Sequence, residues 1–327
     1  MVTEGTSGPA ERGVFLDLGS VDAGDLDLAA LRAALPQWDL HAATAPDALA
    51  ARLAAAEVVV TNKTVLDGAA LAAAPRLRLV CVAATGTNNV DLDAARARGI
   101  AVSNVRAYAT PSVVQHVFAL MFALATRLID YRAAVRAGAW ARAAHFALLD
   151  YPVQELAGRT LGIVGYGELG RAVAHAAEAF GMRVRVAQSL EGAAQAGRVP
   201  LDELLADVDV LSLHCPLTPR TRGLIGAAQL ARMRPHALLI NTARGGIVDE
   251  AALADALRAG RLGGAGVDTL SSEPPRAGNP LLAADIPNLI VTPHTAWASR
   301  ASRQRLLDDV ARNIVAWRRG QARNRVA

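Results

Sequence analysis

Two α/β domains, each a doubly wound parallel sheet with helices on both faces, are the fold class this sequence predicts. Three observations carry that prediction. Short, continuously apolar runs alternate with Ala/Leu-rich helical stretches along most of the 327 residues. The alternation stops at one long helical stretch near residue 110 and restarts near residue 159. A glycine-rich turn, Gly165-Tyr166-Gly167-Glu168-Leu169-Gly170, then follows the first apolar run of the second series. Strands that are apolar on both faces and joined by helical crossovers belong to parallel sheets covered on both sides. The chain is too long for one average domain and fits two.

In the first series, 13–18 (GVFLDL), 56–62 (AEVVVTN), 77–84 (LRLVCVAA) and 99–105 (GIAVSNV) read as buried strands, with helices such as 25–34 and 91–98 between them. Residues 110–135 read as one long helix, with Thr110 as N-cap and Pro111 at the first helical position, where a missing N–H is tolerated. Strands of the second series begin within 159–167 and follow at 183–187, 208–214, 237–241, 264–268 and 289–292. The stretch 274–281 (PPRAGNPL) reads as a loop, and about 299–319 as a last helix with no strand after it. The expected domains are 1–106 with 296–327, and 107–295. The long helix would bridge them, and the last helix would cross back to the first.

Composition narrows the function. At 52% hydrophobic the chain can build substantial cores, and at 4% aromatic it lacks stacking platforms for nucleic acid. The net charge of +4 comes largely from arginines in the last thirty residues, where helical spacing and Asp308 and Asp309 suggest a solvated helix face with a basic tail. Lys63 is the only lysine. Cys81 and Cys215 sit in strand-like runs, which suits buried thiols in a reducing cytosol. The opening MVTEGTSGPAERG lacks a basic region followed by an apolar core, and no apolar run reaches membrane-spanning length. A soluble, cytoplasmic chain is expected, with no nucleic-acid, membrane or metal partner.

The glycine turn points to a dinucleotide. Gly165 would make the tight turn after the strand, Gly167 would let a pyrophosphate approach, and Gly170 would let helix pack on strand. The phosphates would meet the free N–H groups of the helix N-terminus. The acidic residue expected about twenty positions on, to bind the ribose hydroxyls, is missing; Gln188 and Ser189 stand there instead. Neither repels a 2′-phosphate, and the nearest downstream arginine is Arg198. The choice between NAD and NADP stays open on these residues.

Ligands of doubly wound sheets bind beyond the carboxyl ends of the strands. Several strands of the second series end in residues with chemistry: LLIN in Thr242, Ala243 and Arg244, GGAGVD in Asp268, and NLIVTPH in His294. Asp268 alone would read as a turn cap, His294 as a loop histidine, and Arg244 as the partner of Asp249 or Glu250. Their convergence on one sheet edge favours a site. A guanidinium there could hold an anionic substrate through an ionic hydrogen bond of ~1.5–3 kcal/mol. His294 is the proton carrier suited to neutral pH, and Glu273, on the loop before it, would orient the imidazole.

These motifs carry a resemblance. VAATGTNNVD (82–91), LGIVGYGELG (161–170), INTARGGIVDE (240–250), GGAGVDTLSSEPP (263–275) and VTPHTAWAS (291–299) resemble, in order, those of the D-isomer-specific 2-hydroxyacid dehydrogenases. TNK (61–63), TGTNNVD and HTAWAS look most like the hydroxypyruvate reductase and glycerate dehydrogenase branch. The resemblance implies a Rossmann cofactor domain and a smaller flavodoxin-like substrate domain, with NAD or NADP as cofactor. It implies Arg244 as substrate-binding arginine, Glu273 as carboxylate partner and His294 as acid/base. Backbone N–H groups at Ala84, Thr85 and Gly86 would take the substrate carboxylate, and Trp297 would line the substrate pocket. Besides the glycine turn, Thr85, Glu168, Leu169, Gln188, Cys215, Thr242, Ala243, Asp268 and His294 would line the cofactor.

The implied reaction is hydride transfer between nicotinamide and a small 2-oxo acid, hydroxypyruvate or glyoxylate, giving D-glycerate or glycolate. It would take place in an interdomain cleft of a homodimer built through the cofactor domain. Rival readings share the scaffold. A formate-oxidising relative would carry Gln at position 273, whereas a phosphite dehydrogenase keeps the Arg, Glu and His. A phosphoglycerate dehydrogenase often carries a regulatory domain for which a chain stopping at Ala327 leaves no room. A dinucleotide-sensing corepressor can retain all three residues, and measurable turnover would separate it from an enzyme.

Overall fold

The computed structural model describes residues 10–190 and 194–327, so the leader reading of residues 1–9 lies outside the described residues. The chain divides into two compact units, one running up to Ala109 and resuming at Ala298–Ala327, the other Thr110–Trp297. The first limit falls three residues beyond 106, because Thr110 opens a helix that belongs wholly to the second unit, and the second falls two beyond 295.

The first unit alternates strand and helix: β1 (Arg12–Phe15), α1 (Ala29–Ala34), β2 (Gln37–Leu40), α2 (Pro46–Leu53), β3 (Val58–Thr61), α3 (Gly68–Ala72), β4 (Leu79–Val82), α4 (Leu92–Ala97) and β5 (Ala101–Ser103). The five strands are parallel in the order β2-β1-β3-β4-β5, the flavodoxin-like arrangement. Val58, Val59, Val60, Leu79, Val80 and Val82 are buried, as central strands covered on both faces require. Strand β2 has no continuous apolar signal: Gln37 and Asp39 alternate with Trp38 and Leu40, and none of the four is fully buried at this sheet edge.

The last helix of the chain, α11 (Arg300–Arg318), packs on α1 and β4 through Leu306, Leu307, Val310 and Ile314. Arg300, Arg312 and Arg318 keep exposed side chains on its outer face, as the basic pattern suggests, but some arginines of the helix and the tail also act as braces. Arg303 forks onto Asp25 at 2.7 and 2.8 Å, and Arg312 and Arg323 converge on the buried Asp309 at 2.7 and 2.9 Å. The tail then pairs with β5, Val326 donating to the Val102 carbonyl at 2.8 Å and Val102 to that of Ala327 at 3.0 Å.

The second unit opens with α5 (Thr110–Ala125) and α6 (Leu128–Arg136) where a single helix was expected. The two meet at a 58° bend. Arg127 takes a left-handed φ of 53°, and Thr126 turns its hydroxyl back onto the Phe122 carbonyl at 2.7 Å. No glycine or proline marks the break. Packing decides it: α5 lies against the sheet with Val117, Leu120, Met121 and Leu124 buried, whereas Leu128 and Ile129 are exposed. Thr110 begins this helix rather than preceding it, and its hydroxyl hydrogen-bonds the Glu168 carboxylate.

Strands β6 (Thr160–Val164), β7 (Arg183–Ala187), β8 (Arg198–Val199), β9 (Val210–Leu213), β10 (Leu238–Asn241), β11 (Gly264–Val267) and β12 (Leu289–Val291) follow, with α7 (Glu168–Ala179), α8 (Leu201–Asp207), α9 (Ala227–Leu230) and α10 (Glu250–Arg258) between them. They form one parallel sheet in the order β12-β11-β10-β9-β6-β7-β8. The two-residue β8 is too short for its pattern to announce it. Both cysteines are free thiols within buried segments, Cys81 in β4 and Cys215 just after β9.

Candidate active site

The glycine turn crosses from β6 to α7, and its three glycines differ in what limits them. A Cβ on Gly165, whose φ is +93°, would lie 2.5 Å from the Cys215 nitrogen, so the turn is held against the end of β9. A Cβ on Gly170 would come 2.2 Å from the Gly165 carbonyl oxygen, which only a glycine permits in this helix–strand contact. A Cβ on Gly167 would meet nothing within 4 Å. Gly167 is the N-cap of α7 and makes no side-chain cap, and the space a side chain would take there is open. That cradle fits the pyrophosphate of a dinucleotide. Glu168 and Leu169 start the helix beside it, exposed and half-buried respectively.

Gln188 follows β7 directly. Its amide nitrogen donates to the carbonyls of Gln195 and Arg198 at 3.1 and 3.0 Å, and its oxygen accepts from the Gln195 N–H at 3.0 Å. Gln188 therefore braces its own loop. At the end of β9, His214 bonds Ser212 Oγ through Nε2 at 2.9 Å. The residue keeps some exposed surface, but its Nδ1 is enclosed and has no hydrogen-bond partner. Burial pulls its pKa down to about 4 and pushes that of the Cys215 thiol up.

Strands β10, β11 and β12 are neighbours, so their carboxyl ends lie side by side. After β10 the buried Asn241 ties the turn, its side chain donating to the Arg244 carbonyl at 3.0 Å and accepting from the Ala243 N–H at 3.1 Å. Arg244 leaves the core with an exposed side chain that donates to the Ala243 carbonyl at 2.7 Å. The expected alternative partners are engaged elsewhere. Asp249 caps α10 through the Ala252 N–H, and Glu250 accepts from Ser271 and Asn279 at 2.6–2.7 Å. Among the described residues no carboxylate pairs with Arg244, whose remaining donors are left for a ligand. The Thr242 hydroxyl beside it is buried without a partner.

Gly245 joins this turn to the loop after β11. A Cβ there would lie 1.9 Å from the Leu270 carbonyl oxygen, so the two backbones touch where no side chain fits. Leu270 in turn donates its N–H to Glu273 Oε1 at 2.8 Å, while Glu273 Oε2 lies 2.6 Å from His294 Nδ1. His294 itself takes a left-handed φ of 54°. Asp268 holds that conformation. Its Oδ1 accepts from Thr295 N–H at 2.8 Å and the Thr292 hydroxyl at 2.5 Å, its Oδ2 accepts from Ala296 N–H at 2.9 Å, and its carbonyl accepts from His294 N–H at 2.8 Å. The Asp268 side chain is fully buried and spent on this turn.

His116 on α5 completes the group, with Nε2 3.0 Å from Thr292 Oγ1 and 3.5 Å from Asp268 Oδ1. Sequence reasoning missed it because it lies in the polar first half of a largely apolar helix, beside Gln115, with no motif around it. Trp297, half-buried, ends the second unit. In the first unit, Ala84, Thr85 and Gly86 follow β4. The Thr85 hydroxyl donates to the Val105 carbonyl at 2.9 Å, and the Thr85 carbonyl accepts from Asn104 at 2.7 Å. Asp17, also unforeseen, gathers the N–H groups of Asn62, Lys63 and Thr64 at 2.6–2.8 Å and so shapes the TNK loop.

A parallel sheet with a dinucleotide cradle, and with Arg, Glu and His grouped at its carboxyl edge, defines a nicotinamide-dependent dehydrogenase. Comparison with known proteins makes the class specific. The sequence profile of the D-isomer specific 2-hydroxyacid dehydrogenase NAD-binding domain matches residues 118–296. A glycerate dehydrogenase of Methylorubrum extorquens is 48% identical over 279 residues, 85% of this chain and 88% of that one. A hydroxypyruvate reductase of Blautia hydrogenotrophica is 36% identical over 317 residues, covering 95% and 98%. A crystal structure of a Thermus thermophilus protein superposes with a TM-score of 0.84 at 35% identity, covering 97% of this chain and all of that one. The chain belongs to the D-isomer-specific 2-hydroxyacid dehydrogenase family. It is an NAD- or NADP-dependent oxidoreductase that interconverts 2-oxo and 2-hydroxy acids.

Proposed function

We propose that the physiological reaction is reduction of hydroxypyruvate or glyoxylate to D-glycerate or glycolate, or its reverse, with His294 as acid/base, Glu273 as its partner and Arg244 as the substrate-binding cation. The observation that carries this reading is the 2.6 Å contact of His294 Nδ1 with Glu273, beside an arginine with no carboxylate partner among the described residues. An ionised carboxylate only accepts hydrogen bonds, so Nδ1 carries a proton in that contact and Nε2 is left to exchange one with substrate. A bound nicotinamide supplies the hydride. His294 Nε2 gives a proton to the carbonyl oxygen as it gains negative charge and takes it back in the reverse direction. Arg244 fixes the carboxylate and carbonyl of the acid through its forked donors. In the first unit we assign the backbone of Ala84, Thr85 and Gly86 to the substrate carboxylate, and Trp297 of the second unit to the substrate's other end. The cofactor roles of Thr85, Cys215, Thr242 and Ala243 belong to the same reading.

We also read the protein as a cytoplasmic homodimer. Trp140, Phe146, Leu149 and Val153, exposed by 55%, 93%, 89% and 59%, follow the exposed Leu128, Ile129 and Val135 of α6. Large apolar side chains this exposed and this close in sequence suit a surface covered by a second copy. The two free thiols suit a reducing compartment. Purified protein with hydroxypyruvate or glyoxylate, following oxidation of NADH and NADPH in parallel, tests the reaction. Turnover is expected with both acids; tight dinucleotide binding without turnover on either would reject this substrate class.

A further inference from the structure

We infer that Arg198 is a ligand for the 2′-phosphate of NADP and that this chain selects NADPH over NADH. The inference rests on the dinucleotide reading of the glycine turn and concerns the one part of that site where the usual acidic residue is missing. Strand β8 lies parallel to β7, with Arg198 opposite Val186 and Val199 opposite Ala187, so Arg198 stands next to the strand that leads into Gln188. Its guanidinium carbon lies over the ring of Tyr166, 5.5 Å from the centroid. Tyr166 is the residue between Gly165 and Gly167, so the cation sits at the phosphate turn itself.

The surrounding charges single it out. Arg185, on the same edge of the sheet, is neutralised by Glu203 and Asp207 at 2.6 and 2.7 Å. Among the described residues no carboxylate pairs with Arg198. A guanidinium stacked on an aromatic face keeps its in-plane N–H donors free, which is the geometry that meets a phosphate side-on. A phosphomonoester carries roughly −1.5 to −2 charges near neutral pH, and an aspartate at position 188 would repel it. Gln188 cannot repel it. Its amide instead bonds the Arg198 carbonyl at 3.0 Å and the Gln195 backbone, so the residue that replaces the acid holds the segment carrying the cation.

The test is equilibrium binding to the full-length protein, without acid substrate, of NADPH and NADH by nicotinamide fluorescence and of 2′,5′-ADP and ADP by calorimetry. Wild type should bind NADPH and 2′,5′-ADP at least about tenfold more tightly than NADH and ADP. Loss of one ionic hydrogen-bonding partner corresponds to a factor of roughly 10–100. Arg198→Ala should reduce the NADPH-to-NADH preference by that factor, and Arg198→Lys should retain part of it. Equal affinities in the wild type, or an Arg198→Ala variant that weakens both members of each pair alike, would overturn the assignment. Failure of the wild type to bind any of the four would overturn the dinucleotide reading as well, so the two failures are told apart.

Discussion

Glu273 touches His294 Nδ1 with one carboxylate oxygen and the Leu270 N–H with the other, at 2.6 and 2.8 Å. The carboxylate is thus fixed by its own loop before it orients the imidazole, which leaves His294 little freedom to rotate. Replacing His294 by Ala should lower kcat for reduction by roughly 10²–10⁴, the usual worth of a positioned acid, with dinucleotide affinity nearly unchanged. Glu273→Gln should lower kcat in the same direction by a smaller factor. Steady-state kinetics beside fluorescence binding decides the matter, and near-normal turnover in the histidine variant would remove it from the chemistry.

Arg244→Lys keeps the charge but loses the forked donors. If the fork holds substrate, kcat/KM should fall by about 10–100-fold, with KM rising. Equal kinetics for the lysine variant would mean that a point charge suffices.

Gly245→Ala reaches the site without altering any side chain that acts in it. The added methyl would overlap the Leu270 carbonyl, 1.9 Å away, and must push the 270–273 loop outward. A destabilisation of about 1–3 kcal/mol is expected from overpacking, together with a kcat loss resembling that of Glu273→Gln. A denaturant titration and kinetics on the same preparation separate the two effects. Lost stability with intact kcat would show that the loop is not what sets Glu273.

His214 should impose a pH dependence on stability. Its folded-state pKa, lowered by burial from 6.5 to about 4, lies below that of the unfolded chain. Between those values the unfolded chain takes up a proton that the folded protein refuses, so acid favours unfolding there. The contribution is whole above pH 6.5 and is lost progressively as pH falls towards 4. Urea midpoints measured across that range should decline for the wild type and decline less for His214→Gln. Parallel curves would contradict the buried, neutral histidine.

Much of the molecule was legible beforehand, and the omissions share a cause. Central strands such as β3, β4, β9 and β10 announce themselves because both faces are buried and the run is apolar throughout. Strand β2 alternates polar with apolar residues and buries none of them fully, β8 has two residues, and the pairing of the tail with β5 spans more than two hundred positions, so none leaves a local pattern. The bend after Ala125 is equally silent, since it follows from where the sheet ends rather than from a breaking residue.

For the site, the linear sequence determined the inventory: a glycine turn whose three positions have separate steric duties, and Arg244, Glu273 and His294 at or near strand ends. Local chemistry suffices for that, because turns and strand ends are specified by neighbouring residues. Tertiary structure decided which of them are free to act. It set Asp249 and Glu250 on other partners and, among the described residues, left Arg244 without a carboxylate. It committed Asp268 to the turn that holds His294, and brought His116 up beneath that turn. Which charges are spent and which remain available depends on groups far apart in sequence, and only packing brings those within hydrogen-bonding range.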